Sequence, residues 1–347
     1  MKVRRGSDVN RKSAEADMER VPEGMSSRAA RFGMHSPRHL IMMLALVLVM
    51  AVALASCGGS GGGGSAAAAP GGDAAGQEGG YEPPEMKTAV FDESSAGGSG
   101  GALVDLSSAS QGYFAVKVSS DSRIKLIVEK DGEKYIYDVV LDKVQIFPFQ
   151  LGDGSYKISV MKNIVDNKYS ELYTTWAEVS LEDDFGPFLR PSQYADFNAD
   201  SKCVAKAAEL AGQAADANGF ITNVYDFVCK NVTYDREKAA TVESGYLPVP
   251  DETMETGKGI CFDYASLAAA MLRSQGIPTK IIFGYVGEGE DLYHAWNMYY
   301  TEEAGWVAVE FEVSADEWNR LDLTFSANGE DSQFIGDGSN YLDVYQY

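Results

Sequence analysis

Two residues of this chain have the types and the order needed for thiol chemistry on a carbonyl group. Cys261 lies in the segment 259–265 (GICFDYA), and His294 follows it along the chain. The other two of the three histidines, His35 and His39, lie in a predicted export signal. A cysteine thiolate can attack a carbonyl carbon while an imidazole carries the proton and an acid fixes the imidazole's tautomer. These residues therefore predict nucleophilic acyl transfer.

The segments around both residues predict the elements that would position them. Residues 261–275 have an apolar face and are followed by Gly and Pro, which predicts a helix that begins at Cys261. At a helix N-terminus, free N–H groups and the helix dipole lower the pKa of a thiol and can hold an oxyanion. Residues 279–286 and 294–300 predict two strands of a hairpin, which would bring His294 beside the helix start. A structural cysteine and a half-buried strand histidine are the simpler interpretations of each residue alone.

Two folded parts are predicted for the rest of the chain. Residues 102–184 contain short alternating apolar runs separated by Gly and Asp turns, which predicts an antiparallel β-sandwich-like domain. Its predicted strands are 113–118, 124–128, 135–140, 156–160 and 173–181. Residues 185–347 combine helical patterns at 200–217 and 220–231 with further strands. The predicted fold class is α+β, with the sandwich-like domain followed by a domain in which a helix packs on an antiparallel sheet.

The first hundred residues predict export. Residues 40–55 form an apolar run that is short for a membrane span and suits a secretory signal. Residues 54–57 (LASC) resemble a bacterial lipobox, which implies that Cys57 receives a lipid and becomes the mature N-terminus; an ordinary signal peptide or an uncleaved anchor is the alternative. Residues 58–101 are rich in Gly, Ala and Ser, which predicts a flexible linker. We therefore predict a signal peptide with a lipobox over 1–57 and a lipid-anchored, extracytoplasmic protein.

The charge and the remaining cysteines restrict the partners. The net charge is −22, and because nine Lys or Arg and five Asp or Glu lie at or before Cys57, the residues after it carry 20 basic and 46 acidic side chains, or −26. Such a surface argues against nucleic acid as a partner.

No group of His, Cys and acids has metal-ligand spacing, so we predict no metal and no cofactor. Cys203 and Cys229 could form a disulfide or could be two small buried side chains on packed helices.

Three segments together resemble the motifs of the transglutaminase-like superfamily, a circularly rearranged relative of papain-like folds. They are 259–265 (GICFDYA), 294–296 (HAW) and 321–325 (LDLTF). The resemblance implies a papain/transglutaminase-like α+β domain, with Cys261 as nucleophile, His294 as general base and acid, and Asp322 as the orienting carboxylate. Glu310 is the alternative acid, since the family often has an acid after the strand that follows the histidine strand. We favour Asp322 because a longer glutamate would move the imidazole.

Three further residues near these motifs have predicted roles outside the triad. Asp263 is expected to hold the helix start or a neighbouring loop rather than to take part in catalysis. Asn231 and Tyr234 are candidates for the side-chain part of an oxyanion hole.

The predicted function is that of a lipid-anchored Cys-His-Asp enzyme at the cell surface. It would form an acyl-thioester from protein or peptide amides at the cell envelope. Water as the acceptor would make it a protease or amidase, and an amine would make it a transglutaminase. The alternative is a non-catalytic surface binding module with a vestigial triad. These two differ in one measurable property, which is whether Cys261 reacts with thiol probes in a way that depends on His294.

Overall fold

The computed structural model describes residues 80–286, 292–313, 318–322 and 341–347. The described residues belong to one compact unit. The predicted signal segment, Cys57 and the turn at 287–291 lie outside the described residues. Within the described ranges, no helix is both long enough and apolar enough to cross a membrane.

The N-terminal half of this unit is a sandwich of two four-stranded antiparallel sheets. One sheet has the strand order β1-β2-β3-β6 and the other β5-β4-β7-β8. The strands are β1 (Gly97–Ser99), β2 (Ala102–Asp105), β3 (Tyr113–Val118), β4 (Ile124–Lys130), β5 (Glu133–Val139), β6 (Val144–Pro148), β7 (Gly154–Val165) and β8 (Lys168–Val179). Inward residues alternate with outward ones, as along β4, so each sheet buries one face. The five predicted strands are present, and β1, β2 and β6 are additional.

A tight turn between β4 and β5 shows how local sequence fixes this register. Asp131 has φ +53° and Gly132 has φ +93°. Two consecutive left-handed residues match the right-handed twist of a hairpin, and the Asp-Gly pair is the sequence that tolerates them. The turn pairs Lys130 with Glu133 and sets the rest of the β4–β5 pairing.

The C-terminal half is a helical layer packed on a five-stranded antiparallel sheet. Its helices are α1 (Lys202–Gly212), α2 (Ala217–Asn231), α3 (Arg236–Thr241), α4 (Pro250–Thr256) and α5 (Cys261–Ser274). The sheet has the order β14-β13-β12-β11-β15, from β11 (Thr279–Val286), β12 (Leu292–Thr301), β13 (Gly305–Val313), β14 (Trp318–Asp322) and β15 (Tyr341–Gln346). Two short parallel strands, β9 (Thr233–Tyr234) and β10 (Lys258–Gly259), lie before α5. The predicted α+β class, with a sandwich followed by a helix on an antiparallel sheet, is confirmed.

The two halves share one hydrophobic core. A single buried cluster contains Tyr137 and Phe147 of the sandwich together with Ala265 and Ala269 of α5. Arg273, fully buried near the end of α5, adds polar contacts: it donates to the carbonyl oxygens of Arg190, Thr279 and Tyr347. Burial lowers the pKa of its guanidinium to about 9, so the group keeps its charge at neutral pH. The core therefore fixes α5 against the sandwich.

Part of the segment predicted as a linker lies on this folded unit. Tyr81 stacks on Phe220 of α2 with ring centroids 5.3 Å apart, and its hydroxyl donates to the carbonyl oxygen of Gln275 at 2.6 Å. The backbone N–H of Val90 donates to the hydroxyl of Tyr113, and Gly97 begins β1. The structure differs here from the prediction of a flexible segment up to residue 101. Aromatic and main-chain contacts made with distant residues account for the difference.

The two cysteines that could have formed a disulfide are separate thiols. Cys203 is buried on α1 and Cys229 is partly buried on α2, and no disulfide joins them. Burial, followed by the neighbouring Asp251 carboxylate, raises the pKa of the Cys203 thiol well above its usual range. Asp251 accepts the backbone N–H of Cys203 at 2.8 Å, so this region is fixed by a carboxylate at the start of α1. Of the two interpretations, the structure supports two separate small side chains on packed helices, one buried and one partly buried.

Candidate functional site

The start of α5 places Cys261 at the surface of an otherwise buried helix. From Asp263 to Ser274 every residue of α5 is buried, whereas Cys261 and the next residue, Phe262, are partly exposed. The chain enters through Gly259, where an added Cβ would lie 2.6 Å from the Cβ of Asp263. Glycine is required there because the Asp263 side chain folds back over the entry. The predicted helix beginning at Cys261 is present.

Asp263 holds the helix start, as predicted. Its carboxylate is fully buried and accepts the backbone N–H of Ile260 at 2.7 Å. The same carboxylate pairs with the ammonium group of Lys238 at 2.8 Å and accepts the hydroxyl of Tyr246 at 2.5 Å. Burial, followed by this hydrogen bond, raises the pKa of the Tyr246 phenol well above its ordinary value. The Asp263 carboxylate thus caps α5 and links it to Lys238 and Tyr246, which precede it in the chain. These contacts give Asp263 a structural role.

Removal of this carboxylate should destabilise the fold. Asp263→Ala would leave the Lys238 ammonium and the Ile260 N–H without their acceptor. We expect a loss of about 3 kcal/mol in the free energy of unfolding, at the low end for a broken buried pair because Lys238 is partly exposed. Urea unfolding followed by circular dichroism measures this change. Asp200→Ala, at an exposed aspartate outside the helices, is the matched control and should change stability by less than about 0.5 kcal/mol. Equal stability of both variants would contradict the role of Asp263.

The phenol of Tyr234 lies in the electrostatic environment of the Cys261 thiol. Burial raises the pKa of Tyr234, and the charge of a Cys261 thiolate raises it further. Tyr234 belongs to β9, which pairs with β10 directly before α5. Asn231, the other oxyanion candidate, instead donates its side-chain N–H to the carbonyl oxygen of Phe227 at 2.7 Å, which occupies this donor within its own helix. Tyr234 is therefore the better placed of the two candidates.

His294 lies on the strand that packs against α5. It pairs with Gly284 of β11 and is 8 % exposed. Its neighbour Ala295 belongs to the same hydrophobic cluster against which Cys261 packs. Further along β12, the fully buried Asn297 donates to the carbonyl oxygen of Ala265 at 3.0 Å and so ties the strand to the helix. The histidine strand and the cysteine helix are therefore in direct contact.

The sheet order separates the two candidate acids. Asp322 ends β14 and pairs with Val309 of β13, which pairs with Asn297 of β12. Neighbouring strands lie about 4.8 Å apart and residues rise about 3.4 Å, so the backbone of Asp322 lies about 14 Å from that of His294. Glu310 directly follows Val309 and so lies on the strand next to β12. The structure does not describe either side chain. The backbone alone gives Glu310 the shorter route to the imidazole.

Several residues of the site were not found from the sequence. Lys238, Tyr246 and Asn297 contact the nucleophile helix from separate elements. Lys238 belongs to a short surface helix with no apolar pattern, and Tyr246 belongs to a loop. Of these three residues, only Asn297 could have been recognised from the sequence, because an amide within a buried strand needs hydrogen-bond partners.

Part of the C-terminal half of this chain is similar in sequence to known proteins. Residues 204–311 match the family described as the Transglutaminase-like superfamily, a range that contains Cys261, His294 and Glu310 and ends before Asp322. UPF0252 protein MJ1282 of Methanocaldococcus jannaschii is 37% identical over 67 residues, or 18% of this chain and 19% of that protein. A protein-glutamine gamma-glutamyltransferase of Pseudomonas aeruginosa is 36% identical over 73 residues, or 18% of this chain and 11% of that protein. The matches thus span less than a fifth of each relative's length.

Among solved structures, the periplasmic domain of TgpA from Pseudomonas aeruginosa is similar to this chain. The TM-score is 0.29 at 15% sequence identity, with 66% of this chain and 75% of that one covered.

Proposed function

This chain belongs to the transglutaminase-like superfamily, and from that premise we propose that it is an exported, lipid-anchored cysteine enzyme that forms an acyl-thioester from protein or peptide amides. The observation that carries the proposal is the placement of Cys261. It is the first residue of a buried helix, is itself partly exposed, and lies on the helix that packs against the His294 strand. A purely structural cysteine would need neither the helix start nor the exposure.

In the proposed reaction, His294 takes the thiol proton and the thiolate attacks the amide carbonyl carbon. The C=O electron pair moves to oxygen, and N–H groups of the first turn of α5, with the Tyr234 hydroxyl, stabilise the oxyanion. As the tetrahedral intermediate collapses, the imidazolium gives its proton to the leaving nitrogen. Ammonia departs from a glutamine side chain, or an amine departs from a peptide bond. An acyl-thioester on Cys261 remains.

The second half of the reaction restores the enzyme. Water or a lysine amine attacks the thioester carbonyl, His294 removes the attacking group's proton, and the thiolate leaves. Water yields a carboxylic acid, so the enzyme is then a hydrolase; an amine yields a new amide, so it is then a transglutaminase. An acid orients the imidazole and stabilises its charged form. Asp322 is the acid that the motifs predict, and Glu310 is the acid that the sheet order and the matched range favour.

The cellular setting is part of the proposal. The apolar run at 40–55 and the lipobox-like LASC segment support export and lipid attachment at Cys57. The strongly acidic chain after Cys57 argues against nucleic acid as the substrate. We propose proteins or peptides at the cell envelope as substrates because acyl-thioester chemistry acts on their amides. Residues between Cys57 and the folded unit would leave the enzyme free to reach neighbouring surface proteins.

Incubation of the enzyme with a surface-protein extract and a biotin-labelled primary amine tests the proposed function. Mass spectrometry follows amine incorporation and peptide release in the same sample, with Cys261→Ala as the blank. Incorporation at glutamine identifies transamidation, whereas new peptide ends, or conversion of glutamine to glutamate with release of ammonia, identify hydrolysis. A result equal to the blank in all readouts, with a thiol that also resists alkylation, would favour the surface binding module.

A further inference from the structure

A pocket lined by aromatic rings opens at the junction of the two halves and includes Phe262 at the start of α5. Its cavity has a volume of about 230 Å³. This is below the roughly 300–1,000 Å³ of typical small-molecule sites, a size suited to one amino-acid side chain. Six rings line it: Tyr194, Tyr246, Phe262, Phe283, Tyr345 and Tyr347.

The rings hold each other in fixed orientations. Phe262 packs edge-on against Tyr194 and Phe283, with centroid distances of 5.2 and 4.8 Å. Tyr347 packs edge-on against Tyr194 at 4.6 Å. Edge-to-face pairs of this kind are favourable geometries for aromatic rings. The pocket wall is therefore formed before any ligand enters.

The pocket lies close to the nucleophile along the chain. Phe262 directly follows Cys261, and these are the two partly exposed residues at the start of α5. Both also pack against the hydrophobic cluster that contains Tyr347, another residue of the pocket wall. Ile136 and Asp138 of β5 line the pocket as well, so the sandwich contributes to it.

Charge at the pocket is already balanced. Asp138 forms an ion pair with Lys125 at 2.7 Å, and Asp263, which accepts the Tyr246 hydroxyl, pairs with Lys238 at 2.8 Å. A bound ammonium or guanidinium group would have to compete with these lysines for the carboxylates. Aromatic walls with paired charges favour an uncharged, flat occupant.

We propose that this pocket binds an aromatic side chain of the acyl donor next to the carbonyl attacked by Cys261, and that the sandwich sets this preference through Ile136. The inference rests on the proposed function and adds a substrate class to it.

Peptidyl chloromethyl ketones test the inference, because the Cys261 thiolate alkylates their methylene carbon and expels chloride. Three probes carry Phe, Ala or Lys at the residue that bears the ketone. Iodoacetamide, which is too small to need the pocket, measures the reactivity of the thiol itself.

The variants are Ile136→Glu, which places a carboxylate at the rim, and Ile164→Glu as the matched control. Ile136 and Ile164 are 49% and 61% exposed, so neither change should prevent folding, and Ile164 lies on β7 outside the pocket.

The wild-type enzyme should react about tenfold faster with the Phe probe than with the Ala probe. Ile136→Glu should reduce this ratio at least about threefold, while Ile164→Glu leaves it within about twofold and iodoacetamide reacts alike with all three proteins. If iodoacetamide labels Cys261 but the Phe and Ala probes react at equal rates, the proposed role of the pocket is overturned and the proposed function still stands. A Lys probe faster than the Phe probe would also overturn it. Failure of iodoacetamide to label Cys261 would overturn the proposed function and this inference with it.

Discussion

Cys261→Ala is expected to abolish turnover and to leave the fold intact. The change removes one sulfur atom from a partly exposed side chain at a helix start, so little packing is lost. Without the nucleophile no thioester can form, and loss of a nucleophile typically costs at least about a thousandfold in rate. The measurement is release of ammonia or peptide from substrate protein, with thermal unfolding followed in parallel. The melting temperature should stay within a few degrees of wild type.

Cys229→Ala is the matched control for this prediction. Its thiol is partly buried on α2 and is not in a disulfide, and we assign it no role in the reaction. We expect activity close to that of wild type. Activity retained in Cys261→Ala, or lost equally in Cys229→Ala, would show that the reaction does not depend on the proposed nucleophile.

Glu310→Gln is expected to lower kcat by about a hundredfold or more, whereas Asp322→Asn should have a much smaller effect. Both changes remove a charge and keep the side-chain shape. Glu310 lies on β13, the neighbour of the histidine strand, while Asp322 lies one strand further. An orienting acid acts on the imidazole and not on substrate binding, so KM should stay near its wild-type value. Steady-state kinetics of both variants on one substrate measure the difference.

The opposite ranking would identify Asp322, the acid that the motifs predict, as the residue that orients His294. Full activity in Glu310→Gln with a strong loss in Asp322→Asn would mean that β14 approaches His294 more closely than its pairing with β13 indicates. A strong loss in both, with raised KM, would indicate damage to the sheet edge rather than to the orientation of the ring.

Local patterns predict the elements that carry the nucleophile and the histidine. Cys261 begins a helix whose apolar face and C-terminal Gly can be found in the sequence, and the β-branched run at 279–286 forms β11 as predicted. The alternation along β3 and β4 likewise predicts the sandwich. In each case the residues that fix the element lie within a few positions of each other. This is why the α+β class could be predicted.

Contacts between distant segments could not be predicted in the same way. Tyr81 contacts Phe220 and Gln275 only once α2 and α5 have packed. Because its own segment has the composition of a linker, the sequence predicted no fixed position for it. The pair of Lys238 with Asp263 also depends on tertiary packing, although Asp263 alone predicted a helix-start role. The choice between acids depends on strand order, which a motif does not contain.

The proposed pairing of Cys261 with His294 is tested by the rate at which iodoacetamide alkylates Cys261 at pH 7, in wild type and in His294→Ala. Mass spectrometry of the labelled peptide separates Cys261 from the other thiols. If the imidazole takes the thiol proton, the wild-type protein should be labelled faster at Cys261 than at Cys229. His294→Ala should slow labelling of Cys261 by about tenfold or more and leave the rate at Cys229 unchanged. Equal rates of Cys261 labelling in the two proteins would show that His294 does not activate the thiol.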